Sequence, residues 1–211
     1  MKRKNKVDIS WKADFAYVIG VIASDGNLSP DGRHLNITSK DKEIVLKIKN
    51  LLKLKNKIGR KARGGNKDKK YYVLQFGDVN FYNFLLSIGL TPAKSKTISK
   101  IVVPKEFFAD FLRGCIDGDG SIGFNTHPES RNLQWKIRLC SASPVFLEWM
   151  RDTIRTRVKI RGGTIYKPRS KSVSTLSFAT KDTRKILKFM YYKRRLPALE
   201  RKCVLAQECL Q

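Results

Sequence analysis

Residues 112–120 read LRGCIDGDG, and residues 18–26 read VIGVIASDG. Each stretch is apolar, has a glycine near its middle and ends in Asp-Gly, a combination that closes a helix and begins a turn. The two internal glycines lie 94 residues apart (114 − 20), and so do the two terminal aspartates (119 − 25). We therefore interpret the chain as two copies of one structural unit, each of which opens with a helix that ends on an aspartate.

The two aspartates, Asp25 and Asp119, lie where a carboxylate is electrostatically unfavourable. A helix carries partial negative charge at its C-terminal end, so a carboxylate there costs roughly 0.3–1 kcal/mol. A bound divalent cation would reverse that interaction, and Mg²⁺ commonly takes one or two carboxylates and leaves its other positions to water and phosphate. A single Asp-Gly is equally well explained as a helix-to-turn signal. The duplication favours a pseudo-symmetric metal site shared by the two copies.

The charge of the chain indicates the partner of such a site. Of its 211 residues, 44 are Lys or Arg and 18 are Asp or Glu, which gives a formal net charge of +26. The basic residues are spread along the whole sequence, and 41% of the residues are hydrophobic, so the chain builds a core and is not a disordered basic tail. An excess of this size favours a nucleic acid as partner. On charge alone, a ribosomal or other structural RNA-binding role stays open.

Cysteine and histidine usage argues against several kinds of site. The four cysteines form no C-x₂-C pair and there are only two histidines, a pattern that disfavours a zinc site, a disulfide framework and a hydrolase built on a Ser-His or Cys-His pair. No stretch has the ~18 apolar residues of a membrane span, and no signal-peptide core follows the basic N-terminus. We expect a soluble, intracellular protein without membrane contact, in the cytoplasm, the nucleoid or an organellar matrix.

The elements between the motifs recur in the same order in both copies. Alternating apolar and polar residues at 35–38 and 135–139 predict half-buried antiparallel strands. The predicted helices of the first copy span residues 10–24, 41–52 and 80–87, and those of the second span residues 105–118, 144–156 and 181–192. Second hairpins are predicted at residues 57–63 with 71–76 and at residues 159–166 with 173–179. We divide the chain into a first repeat at residues 8–98, a linker at 99–104 and a second repeat at 105–206.

The predicted fold class is α+β: two pseudo-symmetric αββαββα repeats, each a four-stranded antiparallel sheet covered by helices. The opening helices are apolar around most of their surface, and Gly20 and Gly114 would let their backbones approach closely, so we expect these helices to pack on each other. Their ends then bring Asp25 and Asp119 together at the base of a saddle formed by the two sheets. Strands fit the major groove of DNA, where polar side chains contact base edges.

The two motifs resemble the paired motifs of the LAGLIDADG homing endonucleases in their single-chain, two-repeat form, and the resemblance extends from residue 8 to residue 206. The second motif is a close match. The first has Ala23 and Ser24 where an acidic and a small residue are common, but it keeps Asp25. The resemblance implies a monomeric, site-specific DNA endonuclease that makes a Mg²⁺-dependent double-strand cut in a long asymmetric target and takes part in intron homing.

The resemblance also implies roles for individual residues. The implied catalytic residues are Asp25, Asp119, Lys94 and Lys202, and the implied ligands of two or more divalent ions are Asp25 and Asp119, with the backbone carbonyls of Ser24 and Gly118 nearby. Phosphate contact or surface charge explains the two lysines equally well. Ser39 and Ser141 match a position that organises water in the family, although an ordinary structural role fits these serines better.

The hairpins supply the candidate DNA-binding residues. In the first repeat they are Asn27, Ser29, Arg33, Asn36, Arg60, Arg63, Tyr72 and Gln75, and in the second they are Ser121, Asn125, Gln134, Lys136, Arg138, Arg161, Lys167 and Arg169. Many of these would contact phosphates, which fix the register on the duplex but carry no sequence information. The expected partner is double-stranded DNA, with intron RNA as the alternative.

Other functions remain open on the sequence. A maturase would use the same basic saddle on intron RNA, and a non-cleaving DNA-binding regulator would keep the fold without catalysis, usually with an added DNA-binding module. An unrelated basic RNA-binding protein would not need matched repeats. Asp25 and Asp119 favour cleavage, because acidic residues that face phosphate weaken a protein that only binds.

Overall fold

The computed structural model of the chain describes residues 6–62, 70–126, 129, 132–168 and 172–211. The first repeat consists of α1 (Ala13–Asp25), β1 (Gly26–Leu28), β2 (His34–Ser39), α2 (Lys42–Leu51), β3 (Ile58–Lys61), β4 (Tyr71–Gly77) and α3 (Val79–Ser87). After a short 3₁₀ turn at Lys105–Phe107, the second repeat consists of α4 (Phe108–Asp119), β5 (Gly120–Thr126), β6 (Leu133–Ser141), α5 (Pro144–Val158), β7 (Thr164–Tyr166), β8 (Ser174–Phe178), α6 (Thr180–Met190) and α7 (Glu200–Leu210).

Each repeat forms one four-stranded antiparallel sheet. The strand orders, β1-β2-β4-β3 and β5-β6-β8-β7, are the same in the two copies. In both sheets the apolar positions of the alternating pattern are buried, as Leu35 and Ile37 in β2 and Ile137 and Leu139 in β6 show. The α+β class and the duplicated architecture are therefore confirmed.

The motif helices α1 and α4 pack directly on each other through their glycines. A Cβ atom on Gly20 would collide with the carbonyl oxygen of Phe111, and a Cβ on Gly114 would collide with that of Tyr17. A Cβ on either glycine would also lie only 3.0 Å from the Cα of the other. Only glycine permits this approach, so the predicted packing of the two helices is confirmed.

The second repeat differs from the prediction in two places. Strand β7 is limited to Thr164–Tyr166, because the segment before it turns at Gly163, whose φ of +103° lies in the left-handed region. A further helix, α7, follows the expected end of the αββαββα unit. The backbone N–H of Glu200 at the start of α7 donates to Glu43 Oε1 on α2 over 3.0 Å, so the C-terminal helix ties the second repeat to the first. The residue boundaries proposed for the two repeats stay predictions.

Within the described residues, no helix combines the length and apolar character needed to cross a lipid bilayer.

Candidate active site

The two motif helices end side by side. Asp25 is the last residue of α1, and Asp119 is the last residue of α4. A Cβ atom on Gly118 would lie 2.8 Å from Ser24 Oγ and 3.6 Å from Asp25 Oδ2. Ser24 Oγ donates to the carbonyl oxygen of Gly20 over 3.0 Å, which holds this side chain against its own helix. The carboxylate of the first repeat therefore lies beside the motif end of the second.

Both aspartates open into one cleft of about 770 Å³ between the sheets. The cleft is lined by the motif ends, by strands of both sheets and by the segment after α3; the polar and charged residues among them are Ser24, Asp25, Asn27, Asn36, Thr38, Lys61, Lys94, Ser95, Asp119 and Ser141. Four of the six residues predicted as catalytic or metal-binding thus line the cleft, namely Asp25, Asp119, Ser24 and Lys94, together with Asn27 and Asn36 from the predicted DNA-binding set.

Lys94 reaches the cleft from the first repeat as a buried side chain. It is 5% exposed, and its Nζ donates to the carbonyl oxygen of Gly26, directly after the motif, over 2.6 Å. Burial lowers the pKa of Lys94 from 10.5 to about 8, against the opposing influence of Asp119 and Asp25, which favour the ammonium. This lysine is therefore not a surface charge.

Lys202 holds the corresponding place in the second repeat. It is 2% exposed, and its Nζ donates to the carbonyl oxygens of Asp117 over 2.9 Å and Gly120 over 2.8 Å, and also to that of Ile116. Burial lowers its pKa to about 8, although the Asp117 carboxylate acts in the opposite direction. Gly26 and Gly120 are equivalent positions, so each lysine binds the carbonyl that follows the motif aspartate of its own repeat. Lys202 also caps the last carbonyl groups of α4.

A buried polar network fixes the segment that delivers Lys202. Arg113 is fully buried and donates to Asp110 Oδ1 over 2.6 Å, to the carbonyl oxygen of Met190 over 2.6 Å and to that of Pro197 over 2.8 Å. The N–H of Leu199, at the start of α7, donates to Asp117 Oδ2 over 2.8 Å. Desolvation raises the pKa of Asp117. The first repeat has Ala23 at the position of Asp117, so only α7 is anchored in this way.

The oxygen atoms at the cleft fit a hard divalent cation. In the described part of the chain, no cluster of three or more His, Cys, Asp or Glu residues could hold a metal ion. Mg²⁺ needs only one or two carboxylates when water and phosphate supply its remaining ligands. Thr38 Oγ1, at the cleft, is buried and has no hydrogen-bond partner among the described residues, so this wall offers a polar atom to a bound group. Asp25 and Asp119 are the side chains that would hold the ion.

The strand registers place eight of the sixteen candidate DNA-binding residues on one face of each sheet, which we call the open face. In the first sheet Asn27 pairs with Asn36, and Asn36 pairs with Gln75. In the second sheet Ser121 pairs with Arg138 and Asn125 pairs with Gln134, which puts these four and Lys136 on one face. The apolar residues of the same strands occupy the opposite face, against the helices.

Two candidates lie on the wrong side of the first sheet for a role on the open face. Arg60 pairs with Tyr72. Arg60 is two residues from Ile58 in β3 and Tyr72 is two residues from Leu74 in β4, so both side chains lie on the face of the sheet that Ile58 and Leu74 turn towards the helices. The guanidinium of Arg60 lies 5.0 Å from the centroid of the Tyr72 ring, and Tyr72 packs against the core. Arg60 and Tyr72 were predicted as DNA-binding residues, whereas in β3 it is Lys61, paired with Tyr71, that has its side chain on the open face.

The remaining candidates lie in connections. Ser29 and Arg33 flank the turn between β1 and β2, and Arg161 and Lys167 flank β7. Arg63 and Arg169 lie outside the described residues. Ser39 and Ser141 accept hydrogen bonds from the N–H groups of Asp41 and Ser143, a local turn motif that precedes each middle helix. Sequence reasoning missed Thr38 and Lys61, although the alternation in β2 already placed Thr38 beside Asn36.

Two helices that meet at paired glycines and present two aspartates between duplicated sheets define a class of two-repeat α+β proteins. Residues 12–89 match the family model of the LAGLIDADG-like domain. The chain has the LAGLIDADG fold in its single-chain, two-repeat form. A search among curated proteins finds no sequence relative of this chain.

Solved structures with this fold include homing endonucleases and the protein WhiA, whose name does not describe it as an endonuclease. The I-LtrWI LAGLIDADG homing endonuclease bound to target DNA aligns with a TM-score of 0.61 and 11% identity, over 92% of this chain and 88% of that one. Mesophilic variants of the homing endonuclease I-DmoI align with a TM-score of 0.58 and 16% identity, over 92% and 97%. Full-length WhiA from Thermatoga maritima aligns with a TM-score of 0.56 and 18% identity, over 95% and 63%.

Proposed function

We propose that the protein is a site-specific DNA endonuclease that makes a divalent-metal-dependent double-strand cut in a long, asymmetric duplex. The observation that carries this proposal is the meeting of Asp25 and Asp119, one from each repeat, in a single cleft that also contains Lys94. Related folds are solved with target DNA, and one I-DmoI variant is solved with its target DNA in the presence of Mn. A monomer acting in intron homing, with Mg²⁺ as the ion, belongs to the same proposal.

The carboxylates supply the negative charge that a metal site needs inside a strongly basic protein. Asp25 and Asp119 would hold the divalent ions, with the backbone carbonyls of Ser24 and Gly118 at the same helix ends. When bound, such ions stabilise the attacking and leaving oxygens of an in-line phosphoryl displacement and lower the pKa of bound water. Because each repeat contributes one aspartate, the proposal assigns one strand of the duplex to each half of the site.

The two lysines and the open faces complete the proposed site. Lys94 and Lys202 place positive charge beside the carboxylates, where it would stabilise the charge that develops on the scissile phosphate. Lys202 already donates to three carbonyl oxygens, so its contribution would be the field of a fixed cation and the stability of the α4 end. On the open faces, Arg138, Gln134 and Asn36 are the types of side chain that contact base edges in the major groove.

The decisive experiment combines a cleavage screen with charge-matched variants. The purified chain is incubated with a randomised duplex library in Mg²⁺, and newly made ends are sequenced, with EDTA as the metal-free control. Discrete ends within one shared motif are expected from the wild type. Asp25→Asn and Asp119→Asn should give no ends yet bind the recovered duplex at least as tightly, because each removes negative charge that faces phosphate.

A control variant separates loss of charge from loss of the site. Glu148→Gln removes one negative charge on an exposed position of α5 and should cut like the wild type. Normal cleavage by either aspartate variant would refute the proposed metal ligands. Tight binding of one intact duplex without ends from any variant would favour a non-cleaving DNA-binding protein of the same fold. Retention of structured RNA without ends would favour the maturase.

A further inference from the structure

Helix α6 presents four basic side chains in a row. Lys181, Arg184, Lys185 and Lys188 are all exposed and follow the i, i+3, i+4, i+7 spacing of one helix face, which we call the α6 basic face. The buried residues of the same helix are Thr183, Ile186, Leu187 and Met190. At 100° per residue the two sets lie on opposite sides of the helix, so the basic row points directly away from the core.

The α6 basic face lies on the far side of the second sheet from the cleft. Ile186 lines a small cavity together with Ile137, Leu139 and Leu176, on the helix-covered face of that sheet. Arg138, the neighbour of Ile137 and Leu139 in β6, has the opposite parity and belongs to the open face. A duplex held on the open face therefore cannot contact the α6 basic face without wrapping around the molecule.

Folding does not account for this row of charges. Lys181 and Lys185, like Arg184 and Lys188, are like-charge i, i+4 pairs, which destabilise a helix. The one acidic residue of α6, Asp182, accepts a hydrogen bond from the N–H of Gly162, in the loop before β7. Among the described residues, none of Lys181, Lys185 and Lys188 forms an ion pair.

The first repeat provides an internal comparison. Its equivalent helix, α3, has the sequence VNFYNFLLS and contains no charged residue. The two repeats share the fold and the cleft, so the fold does not require a basic face on this helix. Beyond α6 the positive charge continues through Lys193, Arg194 and Arg195, all exposed. Helix α6 of the second repeat therefore carries an exposed row of positive charge that the equivalent helix of the first repeat lacks.

We propose that the α6 basic face binds the phosphate backbone of a second DNA duplex while the cleft holds the first. The proposal rests on the proposed function for the identity of the first ligand. A convex helix face that offers only Lys and Arg has no groove for a single strand and no side chain suited to base readout, so it fits the regular phosphates of a duplex. Seven residues of helix span roughly 10 Å, enough to contact about three successive phosphates of one strand.

The test uses three lysines whose side chains make no hydrogen bond to any of the described residues. Arg184 is left unchanged, because its Nε donates to the carbonyl oxygen of Cys209 and supports the end of α7. The variant is Lys181→Gln, Lys185→Gln and Lys188→Gln together. Its control is Lys42→Gln, Lys100→Gln and Lys105→Gln, which removes the same charge from three exposed lysines elsewhere.

Sedimentation at several salt concentrations measures how many labelled 30-base-pair duplexes are bound per protein molecule. At 50 mM salt the wild type and the control should bind two duplexes, and the α6 variant one, with the affinity for the first duplex changed less than threefold. Loss of three phosphate contacts should lower the salt slope for binding of the second duplex by about 2.7. In the wild type, these three contacts alone should weaken binding of the second duplex roughly fortyfold between 50 and 200 mM salt.

Several results would overturn the proposal. A wild-type stoichiometry of one duplex at 50 mM would do so, as would equal loss of the second duplex in the variant and its control. Displacement of the second duplex by an RNA hairpin at lower concentration than by unlabelled DNA would assign the face to RNA instead. Failure to cleave DNA leaves this readout untouched, whereas failure to bind even the first duplex removes both this proposal and the proposed function.

Discussion

Lys94 and Lys202 are buried ammonium groups whose hydrogen bonds end on main-chain carbonyls. Burial disfavours the charged form of each lysine, while nearby carboxylates favour it, and the balance brings both pKa values to about 8. Near neutral pH both side chains therefore carry charge at a free-energy cost to folding. Proteins accept such a cost most often at functional sites, where a positioned charge is needed.

The pKa of Lys94 predicts how stability depends on pH. An unfolded lysine keeps its proton to about pH 10.4. Because the folded Lys94 releases its proton near pH 8, the unfolded chain binds more protons between these values, and the free energy of unfolding must rise with pH there and stay flat below pH 7. Between pH 7.5 and 9.5 the stability of the wild type relative to Lys94→Met should increase by about 2 kcal/mol. Urea unfolding at several pH values measures this difference.

The exposed Lys96 gives the control for this titration. Lys96→Met removes one ammonium group from an exposed position, so a change that both variants share would reflect loss of charge and not loss of the buried Lys94. A difference between the wild type and Lys94→Met that stays constant over this pH range would mean that Lys94 titrates at its ordinary pKa and is not desolvated.

At the scale of elements, the contact between α1 and α4 is the joint of the whole fold. Gly114→Ala adds a methyl group where the carbonyl oxygen of Tyr17 already lies, so the helices must separate. The expected loss is about 1–3 kcal/mol of unfolding free energy, despite the higher helix propensity of alanine. Gly123→Ala, in β5, has open space around its Cβ and serves as the control. Equal melting temperatures for Gly114→Ala and the wild type would contradict the packing.

Strand register makes a prediction that distinguishes two arginines. Arg138 belongs to the open face, whereas Arg60 lies beside Tyr72 on the helix-covered face. Arg138→Ala should change the preference at one or a few base pairs of the target, at a cost of about 1–3 kcal/mol for the preferred base. Arg60→Ala should leave the preference unchanged. Binding to a panel of single-base variants of the target measures both, and a uniform loss for Arg138→Ala would show phosphate contact instead of base contact.

Elements with a strong apolar periodicity could be predicted from the sequence. Elements whose buried side chains are polar or small could not. The duplicated motifs, the helix joint and the alternation in β2 and β6 were all evident because apolar side chains mark them. Helix α7 was missed because its buried positions are Lys202, Ala206 and Cys209, a stripe with a lysine and only small side chains. Arg60 was included among the DNA-binding candidates because Ile58 is the only apolar residue that marks the helix-covered face of β3.

At the scale of the whole molecule, the two repeats share a fold but not a charge distribution. The motif ends, the sheets and the lysines follow the pseudo-symmetry, whereas the Asp117 anchor, α7 and the α6 basic face belong to the second repeat alone. A single chain can diversify its halves independently, which a symmetric dimer of identical chains cannot do. This asymmetry suits the asymmetric DNA target proposed here.

The net charge of +26 predicts the salt dependence of binding to the first duplex. With about six phosphate contacts, affinity should fall on the order of a thousandfold between 50 and 200 mM salt, because each neutralised phosphate releases condensed counterions. Lys136→Gln, on the open face, should reduce the salt slope by about 0.9, whereas the α6 variant should leave the slope of this first step unchanged. A titration of one 30-base-pair duplex over this salt range measures all three proteins. If the affinity of the wild type does not change with salt, the basic saddle is contradicted. If the α6 variant lowers the salt slope and Lys136→Gln does not, the first duplex binds the α6 basic face and not the open face.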